Sequence, residues 1–397
     1  MRPLRPEEEQ WIFSKHALEN TPSRSHGVSL EEELERRKST VMQMRSLLAR
    51  AIHVSPPQRR DHPDPKLKPT STPYRNVILL AATFVHRFYM RRSLEDFKES
   101  LMAATLLWMA SKLEENQLKV RHLVNVCLDK YEQSKPSYWR IQWRPMENGQ
   151  DPSDGYRFWE KRIVVGEQLA LEALCFDLFV EQPWVIIRRA IDGLDAQITK
   201  LEDAEEKERA NVGGVNGANG KRRGPKVTEE LIMSLAWPIS SEASLSPLSI
   251  LYPSPIIAFT FLAIIISLIE QTPPSRGISA ASEIADRFEL DIRFTVDGPE
   301  GEDLKTVKDC LASFTEYVKM GLIDRNLARY LTPGPRSIDE IKPFKRSFTL
   351  ATSNESSNTF AEVAETSDTR SSRPSAQAEE SQVKTENPTQ LTPGESQ

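Results

Sequence analysis

"YRNVILLAATFVHRFYMRRSLEDFKESLMAATLLWMASKLEE", residues Tyr74 to Glu115, decides the fold. Its first part, Tyr74 to Arg91, places Val77, Leu80, Ala81, Phe84 and Phe88 at helical spacing. Ile78, Ala82, Val85 and Tyr89 cover the other side. A helix that is apolar nearly all round is a buried one. The second part repeats the theme from Leu94 to Glu115, with Ser93 as N-cap and Asp96 at the third helical position. Alanines 103, 104 and 110 would let neighbouring helices approach closely. Two consecutive buried helices predict a bundle in which others wrap around a central pair. Phe84, Phe88 and Trp108 are assigned to that core, and His86 is read as a satisfied structural histidine.

Working outward, Ser29 followed three residues later by Glu32 forms a capping-box pattern that opens a helix from Leu30 to Ile52. The stretch Ser55 to Pro73 carries five prolines before Pro73 and cannot continue it. Downstream, an amphipathic helix spans Val120 to Tyr131, a polar loop runs from Gln133 to Asp154, and a helix covers Phe158 to Phe176. Five helices thus precede Pro183. A second helical set is predicted over Trp184 to Leu201, Glu229 to Ser240, Pro255 to Glu270, Ser279 to Phe288 and Asp303 to Met320. The Gly/Asn-rich, charged stretch Asp203 to Lys226 reads as a flexible insertion. Past Pro335 the chain is rich in Ser, Thr and Glu and is expected to be disordered.

Composition narrows the function. Apolar residues make up 39% of 397, lean for a chain that is folded throughout. The formal net charge is −5, and residues 351–397, with eight acids and three bases, carry all of it. The remainder is neutral, without the basic balance of a nucleic-acid binder. The longest apolar run, Ile256 to Ile269, is fourteen residues against the roughly twenty a bilayer needs, so it reads as a core helix. MRPLRPEEEQ at the N-terminus lacks the apolar segment of a secretory signal. Cys127, Cys175 and Cys310 fit no metal spacing and are expected to be small buried residues in a reducing compartment. The six histidines form no metal constellation either.

"HRFYM" (His86 to Met90) and "ASKLEE" (Ala110 to Glu115) resemble the second and third cyclin-box helices of transcriptional cyclins. Trp11 with "NTPSRSHGVSLEEELERR" (Asn20 to Arg37) resembles the start of cyclins of the K and T type. "FDL" (Phe176 to Leu178) with "VEQP" (Val180 to Pro183) resembles the end of their first box. Residues Ser234 to Leu268 and Tyr317 to Leu331 are similar to the second box of the cyclin-type beta subunit of fungal carboxy-terminal-domain kinase I.

The resemblance implies an all-α fold of two tandem five-helix cyclin boxes. It divides the chain into a lead-in segment (1–29), a kinase-binding first box (30–182), a second box with its insertion (183–335) and a disordered tail (336–397). It also implies a non-catalytic, nuclear regulatory subunit without cofactor or metal. The partner would be a cyclin-dependent kinase that phosphorylates the heptad repeats of RNA polymerase II. A third, gamma subunit would accompany a beta-subunit assignment, and neither membrane nor direct nucleic-acid binding is expected.

By resemblance Lys112 and Glu167 match the cyclin-box lysine and glutamate that hydrogen-bond the kinase near its mobile regulatory helix. Glu115, and with it Glu114, could support the same surface. On residue chemistry alone, a Lys–Glu pair of this kind is more often an internal or solvated one of little energetic worth. "GANGKRR" (Gly217 to Arg223) fails as a phosphate loop, because Val215 and Arg222 stand where glycine and Ser/Thr are required. "KRRGPK" (Lys221 to Lys226) is a candidate nuclear-import signal. "VKTE" (Val383 to Glu386) and Thr392-Pro393 fit modification patterns of low specificity. The rival readings are a cyclin T-like subunit of the positive elongation factor, and a promoter-binding factor of the TFIIB type. The second should be basic and often carries zinc-ribbon cysteines.

Overall fold

Helix α1 (Leu30–Val54) opens with Glu31, Glu32 and Glu33 at the positive end of its dipole. The Glu32 backbone N–H donates to Ser29 Oγ at 3.1 Å, half of the capping box. Beneath it lies a buried charge pair, Arg37 with Glu33 at 2.5 Å, both about 1% exposed. Burying such a pair is costly unless other groups satisfy its hydrogen bonding, and here they do so in part, with Arg37 Nε left without a partner. Thr21 Oγ1 donates to Glu33 at 2.6 Å and Arg37 donates to the Tyr89 carbonyl at 2.9 Å. The Thr-Pro-Ser segment is thereby tied to the start of the bundle: Thr21 also caps the one-turn helix Pro22–Ser25.

The computed structural model describes residues 9–54, 74–132, 154–197, 199–200, 227–293 and 301–324. All lie within one compact unit, Met1–Leu350. The described elements are helical, and the first set comprises α1, α2 (Arg75–Tyr89), α3 (Glu99–Leu113), α4 (Val120–Tyr131) and α5 (Asp154–Ala173). Helix α3 is its hub, packed against the other four, and its three alanines are fully buried. Phe84 and Phe88 are buried on α2, whereas Trp108 is only half-buried and its Nε1–H donates to the Leu118 carbonyl.

The second set contains α6 (Pro183–Ala190), α7 (Glu229–Ala243), α8 (Ser254–Glu270), α9 (Pro274–Ala281) and α10 (Glu302–Met320). Helix α8 is the hub here, with every residue from Ile256 to Ile269 buried against α6, α7, α9 and α10. Among the described residues no single helix is long and apolar enough to cross a membrane. The two sets meet where Arg45 pairs with Glu242 at 3.2 Å and His86 Nε2 faces the Ser244 carbonyl at 3.0 Å.

Several boundaries differ from the sequence expectation. Helix α3 begins at Glu99 rather than Leu94, because Leu94 is pulled into a turn where its N–H donates to Ser23 Oγ. Ser93 accordingly caps that turn, accepting from the Glu95 N–H at 3.2 Å. Helix α6 stops at Ala190, ahead of a turn with Gly193 at φ 79°, instead of running on to Leu201. The expected Ser279 to Phe288 helix is the end of α9 followed by a separate 3-10 segment, Ser282–Phe288. Cys127 and Cys310 are buried as expected, but Cys175 is exposed: α5 ends two residues earlier and the chain turns outward there. The loop Ser55 to Pro73, the insertion Asp203 to Lys226 with its basic run, the 336–397 tail and its two modification patterns lie outside the described residues.

Candidate functional site

Lys112 sits in the last turn of α3, where its Nζ lies 3.9 Å from the centroid of the Trp108 ring. The same ammonium forms an ion pair with Glu167 of α5. Both side chains are partly accessible, Lys112 at 32% and Glu167 at 16%. An ammonium has three donors, so the pair leaves Lys112 further capacity at the surface. The two helices can approach because residue 166 is glycine. A Cβ there would lie 2.9 Å from Thr105 Oγ1, closer than side chains tolerate.

The structure thus joins Lys112 and Glu167 and leaves Glu115 outside the pair. Glu115 is exposed in the turn after α3, with φ of 53°, and its backbone N–H donates to the Lys112 carbonyl. Glu114 is the C-cap residue of that helix. His86 lies elsewhere, at the contact between the two sets. Burial, and then the nearby Arg37 charge, pull its pKa down to about 3, so it is neutral, and its Nδ1 has no partner. Among the described residues no group of three or more His, Cys, Asp or Glu could hold a metal.

Residue chemistry alone did not find a set of large apolar side chains left exposed on α3, α5 and the turn after α5. Leu113, Phe158, Val164, Val165, Phe176 and Phe179 are all exposed, between 42% and 69%. Large apolar side chains that stay exposed and join into a patch mark an interaction surface. A signal for three of them was present: the buried stripe of α5 is Trp159, Ile163, Gly166, Ala170 and Ala173, and Phe158, Val164 and Val165 fall off it. The two phenylalanines follow α5 in a turn whose Cys175 and Phe176 both adopt left-handed backbone, φ 53° and 55°.

Residues 71–179, which include Lys112, Glu115 and Glu167, match the family model "Cyclin, N-terminal domain". The chain is 29% identical over 207 residues to cyclin pch1 of Schizosaccharomyces pombe, covering 48% of each protein. It is 28% identical over 178 residues to mouse cyclin-T2, covering 44% of this chain and 20% of that one. The chain therefore matches about half the length of the first relative and a fifth of the second. A chain in a solved structure of the CAK complex from Chaetomium thermophilum is 14% identical, with a TM-score of 0.43 over 93% of this chain and 96% of that one.

Proposed function

We propose that this chain is a cyclin-family protein, a distant relative of cyclin T and pch1, and the non-catalytic regulatory subunit of a transcriptional cyclin-dependent kinase. The observation that carries the reading is the partly exposed Lys112–Glu167 pair inside the region matching the cyclin N-terminal domain. The kinase docks along the C-terminal end of α3 and the outer face of α5. The apolar side chains supply contact area, and the charged pair supplies register by capping backbone groups at the end of the kinase's mobile helix. Because Lys112 and Glu167 already hold one another in place, less side-chain freedom is lost on docking. Activation is then a population shift: the cyclin binds the helix-in state better, which allows the kinase's own Lys–Glu pair to form around ATP.

The resemblances support a finer assignment. Residues 30–182 and 183–335 act as two cyclin boxes, the first carrying the kinase. The substrate is the heptad-repeat domain of RNA polymerase II, the setting is the nucleus during elongation, and a third subunit completes a complex of the carboxy-terminal-domain kinase I type. A cyclin T-like subunit of the positive elongation factor is the second reading, favoured by the similarity to cyclin-T2.

Tagged wild-type chain recovered from cell extract is expected to bring down kinase activity on a heptad peptide. Lys112→Ala/Glu167→Ala should lose most of it. Recovery of promoter DNA without any kinase would replace this reading with the promoter-binding one.

A further inference from the structure

The turn that follows α5 is held in a costly shape. Two consecutive non-glycine residues in the left-handed region cost on the order of 1–3 kcal/mol each and persist only where the surroundings over-determine them. Here the surroundings come from a distant part of the chain. Trp11, fully buried, donates from Nε1 to Asp177 Oδ2 at 2.7 Å, and Gln10 Nε2 donates to the same oxygen at 3.1 Å. The Trp11 ring lies against two guanidiniums, Arg87 at 5.0 Å and Arg91 at 4.7 Å. Those arginines reach the turn as well: Arg91 Nη1 lies 3.1 Å from Cys175 Sγ, and Arg87 Nη1 is 3.5 Å from the Asp177 and Phe179 carbonyls.

The segment is anchored on its other side too. The Phe13 N–H donates to the Ile250 carbonyl at 2.7 Å, and Lys15 pairs with Asp309 at 2.9 Å, whose carboxylate accepts from Tyr252. Residues 10–15 therefore run as a strap from the end of the first helical set to the second. Phe176 and Phe179, at 69% and 54% exposed, project from the fastened turn.

We propose that this strap is a positioning element for partner docking, in which the Trp11–Asp177 contact fixes the 175–179 turn so that Phe176 and Phe179 meet the kinase in one preset orientation. The proposal rests on the kinase-docking reading above, and Trp11 acts through the turn rather than by touching the partner. The advantage is preorganisation: the turn is ordered before binding, so its ordering cost does not count against affinity.

The test is a double-mutant cycle on the full-length chain, using the kinase that co-purifies with wild type as the probe. Asp177→Ala removes the acceptor while leaving the Trp11 ring in place, and Trp11→Phe removes the donor. Phe176→Ala removes the side chain the turn presents. Losing the hydrogen bond should weaken kinase binding about threefold to tenfold in either single variant. In the Phe176→Ala background neither change should weaken it by nearly as much, because the strap then has less to position. Undiminished binding in both single variants, or the same loss in both backgrounds, overturns the proposal. If wild type captures no kinase, the docking reading itself has failed. Amide exchange of the free chain then decides the positioning half: residues 175–179 should exchange faster in Asp177→Ala, and an unchanged rate refutes the strap.

Discussion

The two helical sets are built alike and finished differently. Each wraps its neighbours around one buried hub, α3 in the first and α8 in the second. In the second set the hub is sealed, and Met320 at the end of α10 is its only exposed large apolar side chain among the described residues. In the first set, six of the eight such side chains fall between Leu113 and Phe179 in sequence, at the end of α3, along α5 and in the turn beyond it. A buried hub is what any helical bundle requires. The exposed side chains of the first set are what stability does not explain, and it is there that we propose the partner docks.

The contrast is broken or upheld most directly by comparing two phenylalanines. Phe261→Ala empties a site that is 1% exposed and stacked edge-on with Phe314. It should cost about 3–5 kcal/mol in urea unfolding. Phe176→Ala should change stability by no more than about 0.5 kcal/mol, because that ring lies mostly in solvent. Similar losses at both positions would mean that the exposed edge is structural.

Gly166→Leu should cost about 1–3 kcal/mol by forcing α5 away from Thr105. It should also part Glu167 from Lys112 and reduce kinase recovery.

His86 probes the joint between the sets. Its folded pKa of about 3 lies below the unfolded value near 6.5. Its contribution is therefore intact above pH 6.5 and is lost as the pH falls towards 3, because only the unfolded chain takes up the proton. The slope approaches about 1.4 kcal/mol per pH unit. His86→Gln should flatten the stability profile between pH 6.5 and 5, and an unaltered slope would show that other groups set it. A small effect is expected at the charged pair. Lys112→Ala/Glu167→Ala should cost at most about 1 kcal/mol, since a partly solvated pair is screened.

Much of the helical architecture was legible because apolar periodicity reports burial. Val120 to Tyr131 was bounded correctly, and Pro255 to Glu270 missed one residue at its start. Errors arose where long-range contacts override local signals. Ser93 looks like an N-cap, yet Ser23 captures the Leu94 N–H and delays the helix. Lys112 and Glu167 came from family resemblance, and their spacing of 55 residues gives no hint that they meet. Phe176 was placed at the end of a helix and Phe179 was not singled out, because both lie in a left-handed turn beside Asp177, which accepts a hydrogen bond from Trp11, 166 residues away in sequence.

The central claim, that the edge of the first set and not the second is the kinase-docking surface, is tested most directly by amide hydrogen exchange of the full chain, free and bound to the kinase it captures. The account predicts slowed exchange at residues 111–115 and 164–179, with α8 unchanged. Protection confined to residues 227–324 would contradict it.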